Sequence, residues 1–194
     1  TCHTTGGHQI TGSRYATRDS DVQGIDIPGR TDGSRATCES CHDNRPQGAG
    51  ANPKLDQHTD KVACVTCHVP EFARGGRKTK TWWDWSTAGR KDQHGKPIVI
   101  RDAEGYDTYN FKKGDFRWAS DVVPEYRWFN GTIDYRTLGA KIDDGSTPVE
   151  INRLGGSYAD PDARIWPFKV MRGRQPYDRG NKVLAVPHLF GKDE

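Results

Sequence analysis

Two copies of the pattern C-x-x-C-H constrain this chain more than any other feature of its sequence. Two cysteines three positions apart can each form a thioether with one vinyl group of a haem, and the histidine that follows is then held against the iron as an axial ligand. Each copy therefore predicts one covalently attached haem c. The predicted anchors and proximal ligands are Cys38, Cys41 and His42 in the first copy and Cys64, Cys67 and His68 in the second.

The chain opens with Thr1-Cys2-His3, which matches the end of a third copy. Cys2 would be the second anchor, and His3 the proximal ligand, of a haem whose first cysteine lies upstream. No signal peptide and no apolar run of roughly 20 residues is present. Because thioether attachment is completed outside the cytoplasmic membrane, we expect a periplasmic or extracellular protein. The sequence would then be a segment of a longer precursor, or one whose amino end was processed.

The cysteines also allow two other interpretations. Paired C-x-x-C motifs also resemble a zinc ribbon, in which the spacing between the pairs is about 15 to 20 residues. Zinc would not require a histidine after each pair, whereas a histidine follows all three candidate second cysteines here. A disulfide framework is disfavoured because the cysteine count, five, is odd and every cysteine belongs to one of the motifs.

The composition favours a fold that is organised by its cofactors. Only 32% of the residues are hydrophobic, with 22 Gly and 11 Pro, so side chains alone would struggle to build a core. Six Trp, seven Tyr and six Phe nevertheless argue against disorder. The net charge of +3 gives no support for nucleic-acid binding. The densest basic cluster is Arg74, Arg77, Lys78 and Lys80, which would be solvated surface or a site for haem propionates or an anionic substrate.

Four histidines outside the motifs are candidates for the second axial position of the haem irons. His58, which precedes the second motif, is the strongest candidate, and His8 follows His3 closely. His188 lies near the end of the chain, whereas His94 falls in an expected exposed turn. Together with three proximal histidines, these residues could make every iron bis-histidine.

Several runs resemble the octahaem tetrathionate reductase family of multihaem cytochromes c. The central runs are HTDKVACVTCHVPEFARGG at 58–76 and TKTWWDWSTAG at 79–89. Similar stretches are GHQI at 7–10, GSRY at 12–15 and WPFKVMRGRQPYD at 166–178, so the resemblance reaches both ends of the chain. It implies about eight haems c in the full protein, most of them bis-histidine, and one catalytic haem with a lysine ligand.

The resemblance also implies reduction of tetrathionate, nitrite or hydroxylamine, with electrons from partner cytochromes or quinol-linked donors. The lysine-ligated haem belongs to an earlier part of the family's chain, so no catalytic residue is carried over to this sequence. Relatives are expected to have a histidine shortly after the first motif, where Pro46-Gln47 stands here. An alternative remains open: a purely electron-conducting cytochrome, either a periplasmic shuttle or a subunit of an extracellular filament or homo-oligomer.

The predicted fold is a multihaem cytochrome c with low secondary-structure content, short helices around the haem motifs, a β-hairpin, irregular loops and a haem-organised core. Residues 1–97 would form the haem-binding region. Residues 98–194 would form a haem-free region whose hairpin and Pro-rich tail pack on the haems. Ile98-Val99-Ile100 is a candidate strand, and Asn130-Gly131 between two aromatic runs predicts the hairpin. Alternation would place Trp83 and Trp85 on one face of an extended segment.

Overall fold

The structure is a computed structural model that describes residues 45–47, 52–143 and 148–186. Within these ranges short elements alternate with long irregular connections, as the sequence predicted. The helices are α1 (Pro53–His58), α2 (Cys64–His68) and a 3-10 turn (Trp85–Thr87). The strands are β1 (Thr79–Asp84), β2 (Val99–Arg101), β3 (Asp107–Asn110), β4 (Gly114–Ala119), β5 (Glu125–Phe129), β6 (Ile133–Tyr135), β7 (Asn152–Leu154), β8 (Arg164–Phe168), β9 (Arg172–Arg174), β10 (Tyr177–Asp178) and β11 (Val183–Leu184).

The described residues group into two compact units. The first unit contains the described residues up to 70 together with 125–134 and 152–168. The second unit contains 71–124, 169–186 and the described residues between 135 and 151. The chain therefore leaves and re-enters each unit more than once. The division at residue 97, into a haem-binding region and a haem-free region that packs on the haems, stays a prediction.

A five-stranded mixed sheet with the order β2-β3-β4-β1-β9 organises the second unit. Strand β1 is antiparallel to β4, with Trp83 opposite Phe116, and parallel to β9 on its other side. The β-branched and aromatic residues of β1 suit the pleated surface of a sheet. Gly173 in β9 lies under the Trp83 indole, and a Cβ at this position would come within 2.1 Å of Trp83 Cε2. The close approach of the two strands therefore depends on a residue without a side chain.

Tyr109 and Phe116 form the buried centre of this sheet, with exposed fractions of 1% and 8%. The Tyr109 hydroxyl donates to the Thr87 carbonyl oxygen at 3.2 Å and accepts from the Arg90 amide at 2.8 Å. The Arg90 guanidinium lies 3.6 Å from the Tyr109 ring centroid and pairs with Asp115. The polar end of a large buried ring is thus fully satisfied, as burial requires.

In the first unit, β5 and β8 pair in antiparallel register and α2 packs against β8. Phe129 is buried, and its ring meets Trp166 and Phe168 edge-on at centroid distances of 6.2 Å and 5.4 Å. Gly156 has a φ of +114°, and a Cβ there would lie 2.9 Å from the Asn130 amide nitrogen. This glycine lets the segment that leads into β8 approach the end of β5.

The hairpin predicted around Asn130-Gly131 is wrong. Both flanking segments are strands, but β5 pairs with β8 and β6 pairs with β7. The Asn130 side chain does make a turn, because its Oδ1 accepts from the Thr132 amide at 3.1 Å and from the Thr132 hydroxyl at 2.7 Å. The strands on either side, β5 and β6, pair with strands from elsewhere in the chain. Hairpins occur instead between β2 and β3, between β3 and β4, and between β10 and β11.

The strand predicted at Ile98-Val99-Ile100 is confirmed as β2. The prediction that Trp83 and Trp85 share one face of an extended segment is wrong, because β1 ends at Asp84. The Asp84 carboxylate accepts from the Ser86 amide at 2.9 Å and caps the 3-10 turn that begins at Trp85. This local cap ends the strand before the alternation can continue.

Few apolar side chains are buried among the described residues. Many large ones are exposed instead, including Val123 at 70% and Leu138 at 65%. Side chains alone therefore supply a small core, which agrees with the expectation that cofactors complete it. The buried apolar residues are Ala63, Tyr109, Phe116, Phe129, Ile142 and Ala163.

Candidate haem-attachment site

The second C-x-x-C-H motif forms helix α2, a single α-helical turn. The chain enters it from Ala63, whose ψ of 143° is extended, and the Val69 amide closes the turn on the Val65 carbonyl oxygen at 2.9 Å. Residues three and four apart lie on the same side of a helix. Cys64, Cys67 and His68 are therefore neighbours on one side of α2, which is the arrangement that two thioethers and an axial imidazole on one haem require.

Three hydrogen bonds to Ile165 of β8 fix the position of α2. The Ile165 amide donates to the Lys61 carbonyl oxygen at 2.7 Å, and the Ala63 amide donates to the Ile165 carbonyl oxygen at 3.0 Å. The Thr66 hydroxyl donates to the same Ile165 oxygen at 2.8 Å. Thr66 occupies one of the two variable positions of the motif, and nothing in the sequence marked it as a docking residue.

Burial is unequal on the two ends of α2. Ala63, at its start, is 1% exposed, whereas Cys67 and His68 are exposed and Cys64 is half-buried. The two thiols are not bonded to each other. Exposed Leu55 and Val69, in the same unit, offer apolar area that a porphyrin could cover. The residues present therefore fit a covalently bound haem.

The described ranges contain no group of three or more His, Cys, Asp or Glu side chains that could hold a metal ion. The first C-x-x-C pair, which a zinc ribbon would also need, lies outside the described residues.

Helix α1 places His58 at its last position. Asn52 caps the helix start and Pro53 occupies the first turn, both favourable there. Arg45 ties the helix end down by donating to the Asp56 carbonyl oxygen at 2.9 Å and to the Asp60 carboxylate at 2.7 Å. His58 itself is exposed. The helix ends at His58, and the chain then turns towards α2.

The remaining predicted site residues lie in the second unit or outside the described ranges. His94 occupies an exposed turn, as predicted, in which the Asp92 carboxylate accepts from the His94 amide at 2.8 Å and from the Lys96 amide at 2.9 Å. His94 belongs to the second unit, whereas Cys64, Cys67 and His68 belong to the first. The predicted site residues that lie outside the described ranges are Cys2, His3, His8, Cys38, Cys41, His42 and His188.

The residues of the basic cluster between Arg74 and Lys80 differ in their surroundings. Arg74 lies near Glu71, with 3.8 Å between Nε and Oε2. Lys78 pairs with Glu104 and, at 3.0 Å, with Asp102. The hydrogen bonds to Glu104 and then to Asp102 raise the pKa of Lys78 above its ordinary value. Arg74 and Lys78 therefore each have a carboxylate neighbour.

Lys80 has a different environment from the rest of that cluster. Its Nζ lies 3.6 Å from the ring centroid of Phe116 and 5.0 Å from that of Trp118. Sequence reasoning missed this contact. Only the pairing of β1 with β4 places the lysine over the aromatic residues, and no local pattern specifies that pairing.

A helical turn that carries C-x-x-C-H, with the second cysteine and the histidine exposed, is the arrangement expected of a c-type cytochrome. A family model described as bacterial cytochrome c matches residues 80–194, and the chain belongs to this family. The matched stretch contains no cysteine, so the family match and the haem motifs are independent observations. No curated protein matches the sequence.

The chain also resembles a solved structure, the octahaem cytochrome c from Shewanella oneidensis. The two share 38% identity with a TM-score of 0.73, over 98% of this chain and 39% of the octahaem protein. The chain thus spans about two-fifths of that relative. These findings confirm the resemblance to multihaem cytochromes and the fold class expected from the sequence. The chain is thus part of a multihaem c-type cytochrome and binds haem c covalently.

Across the part of the chain that the structure describes, no helix is both long enough and apolar enough to cross a membrane.

Proposed function

We propose that this chain is the electron-transfer segment of an exported multihaem reductase that acts on tetrathionate, nitrite or hydroxylamine. The observation that carries the proposal is the match of 98% of the chain to an octahaem cytochrome c at 38% identity. The runs at 58–76 and 79–89, which resemble the octahaem tetrathionate reductase family, support the choice of substrates. The catalytic haem with its lysine ligand is assigned to a part of the full protein outside this sequence.

In the described part of the chain, Cys64 and Cys67 would hold one haem through thioethers and His68 would ligate its iron. The haem supplies an iron that cycles between the ferric and ferrous states and so carries one electron. The chain's own contribution is to hold the ligand side of α2 in place through Ile165. By the same motif, Cys38, Cys41 and His42 would hold a second haem, and Cys2 and His3 would belong to a third.

Replacing Cys64 and Cys67 together by Ala tests this assignment directly. The intact mass of the purified protein should fall by one haem beyond the change in side chains. Replacing exposed Ser120 by Ala should leave the haem content unchanged and serves as the control. An unchanged number of haems in the double variant would contradict the assignment of this motif.

His58 is proposed as a distal ligand, because it ends α1 a short distance in sequence before the motif and its side chain is exposed. A ferrous haem that loses its sixth ligand gains a site for carbon monoxide. In a His58→Ala variant we expect the carbon monoxide bound per reduced protein to increase by one. In His94→Ala, whose imidazole lies in an exposed turn, we expect a smaller increase or none. Equal, unchanged binding in both variants would remove His58 from the ligand set.

The reductase assignment is tested by reoxidation. The intact protein is reduced anaerobically, and its c-type α-band is followed while tetrathionate, nitrite and hydroxylamine are added in turn. Rapid and repeatable bleaching by one compound would support the reductase and name its substrate class. A c-type band indifferent to all three would leave a purely electron-conducting cytochrome, which the histidine count also permits.

Export is proposed because haem c is attached outside the cytoplasmic membrane, and partner cytochromes or quinol-linked proteins are proposed as electron donors. Fractionation of cells that express the full protein should place it in the periplasm or outside the cell. Recovery of the haem-loaded protein in the cytoplasmic fraction would contradict this part of the proposal.

A further inference from the structure

An arginine side chain, that of Arg164 in β8, is buried in the interior of the first unit. It is 1% exposed, and among the described residues it and Tyr109 are the largest side chains that are fully buried. Phe129 lies opposite it on β5, and Ala163 precedes it in the chain; both are buried and apolar. Guanidinium groups keep their charge in protein interiors. The unit that carries the second haem motif therefore has a positive charge in its interior.

Two features of the structure place Arg164 beside the haem motif. Its Nη2 donates to the Val62 carbonyl oxygen at 3.4 Å, and Val62 lies two residues before Cys64. Its neighbour in the chain, Ile165, makes the hydrogen bonds that hold α2 on β8. Because two residues of chain span at most about 7 Å, the guanidinium lies within about 10 Å of the Cys64 backbone.

A positive charge in this place favours the reduced form of a haem on α2. Reduction from the ferric to the ferrous state adds one electron, which lowers the charge of the haem site by one unit. A buried charge is screened much less than an exposed one. A unit charge that acts over about 12 Å at an effective dielectric constant of about 20 changes a one-electron equilibrium by about tenfold. Arg164 makes other interactions as well, but neutralising its side chain removes one positive charge whichever groups it contacts.

We propose that the buried guanidinium of Arg164 raises the reduction potential of the haem held by Cys64 and Cys67. Arg164 is then a positioning residue for electron transfer, because it sets the place of this haem in the order of potentials. The proposal rests on the assignment of a haem to this motif. It does not depend on reductase activity, and it applies equally to a cytochrome that only conducts electrons.

Spectroelectrochemical titration of the haem-loaded protein tests the proposal without an activity assay. Arg164→Gln keeps an amide donor for the Val62 carbonyl oxygen but removes the charge. One one-electron step should then move to a lower potential by about 59 mV, the equivalent of a tenfold change in the ratio of ferric to ferrous haem. Arg164→Lys keeps the charge and should leave that step close to its position in the parent. The shifted step should be the one that is missing when Cys64 and Cys67 are both replaced by Ala.

Arg127→Gln is the matched control. Arg127 lies on β5 in the same unit, but its side chain is 56% exposed and pairs with Glu125 at 2.8 Å. Solvent screens such a charge, so all steps should keep their potentials. Equal shifts in Arg164→Gln and Arg164→Lys would indicate an effect of packing and would overturn the proposal, as would the absence of a shift in Arg164→Gln.

The intact mass of each variant separates this proposal from the haem assignment beneath it. A protein without a haem on Cys64 and Cys67 would remove that assignment. A full complement of haems with unshifted potentials would refute the role of Arg164 alone.

Nuclear magnetic resonance of the parent protein decides the question if Arg164→Gln does not fold. In protein made with isotope-labelled arginine, the guanidinium signal of Arg164 is recognised by its slow hydrogen exchange, because the side chain is buried. Low-spin ferric haem is paramagnetic and low-spin ferrous haem is not, so this signal should move when the protein is reduced. A signal that stays in place would show that no haem lies close to the guanidinium, and the proposal would fall.

Discussion

The docking of the haem motif on β8 yields a prediction whose size follows from the structure. Thr66→Val keeps the side-chain shape but removes the 2.8 Å hydrogen bond to the Ile165 carbonyl oxygen. That oxygen still accepts from the Ala63 amide, so it is not left unsatisfied. The free energy that holds α2 on β8 should therefore fall by the net value of one neutral hydrogen bond, about 1 kcal/mol. No further cost arises, because no buried oxygen is left without a donor. The loss of about 1 kcal/mol corresponds to about a fivefold change in the equilibrium for undocking.

Hydrogen exchange measures that equilibrium locally. In Thr66→Val, peptides that contain the amides of Ala63 and Ile165 should exchange about fivefold faster than in the parent protein. Thr81→Val is the matched control, because the Thr81 hydroxyl contacts the Arg117 carbonyl oxygen at 3.4 Å in an exposed position. It should leave these peptides unchanged. Equal exchange in both variants, or an unchanged rate in Thr66→Val, would refute the view that Thr66 anchors the motif.

Two further predictions concern the second unit. Gly173→Ala would drive a Cβ into the Trp83 ring, so the thermal midpoint of this variant should fall by an amount equivalent to about 1–3 kcal/mol. Gly139→Ala, which has open space at its Cβ, is the control and should change the midpoint little. The hydrogen bond from Arg101 holds the pKa of Asp107 below its ordinary value. The ionised carboxylate therefore stabilises the fold above about pH 4, and this contribution is lost as the pH falls through the lowered pKa. The difference in thermal midpoint between the parent and Asp107→Asn should accordingly be full at neutral pH and shrink below about pH 4; a difference that stays constant with pH would contradict this.

The haem motifs could be recognised from sequence because their chemistry is local. The cysteine spacing and the adjacent histidine lie within five consecutive residues, and one helical turn is enough to bring them together. The strands near Val99 and on both sides of Asn130 were also predictable, since their residue types favour extended structure.

The partners of these elements could not be predicted in the same way. The segments on both sides of Asn130-Gly131 have the composition of a hairpin, yet β5 pairs with β8, which follows much later in the chain. Docking of Thr66 on Ile165 and of Lys80 on Phe116 depends on such distant pairings. The Asp84 cap is a local feature, and it ends β1 before the alternating pattern of Trp83 and Trp85 can continue. Sequence pattern thus specified the chemistry of the haem site and not the packing that supports it.

The distance along the chain between Thr66 and Ile165, 99 residues, has a consequence for how the protein matures. While the polypeptide is being made, α2 emerges long before the strand on which it docks. Closing so long a loop is slow compared with forming a helical turn. The helical turn that carries Cys64 and Cys67 can therefore form before its docking strand is present. Docking of the haem motif is then a late step of folding, because it needs a segment about one hundred residues further along the chain.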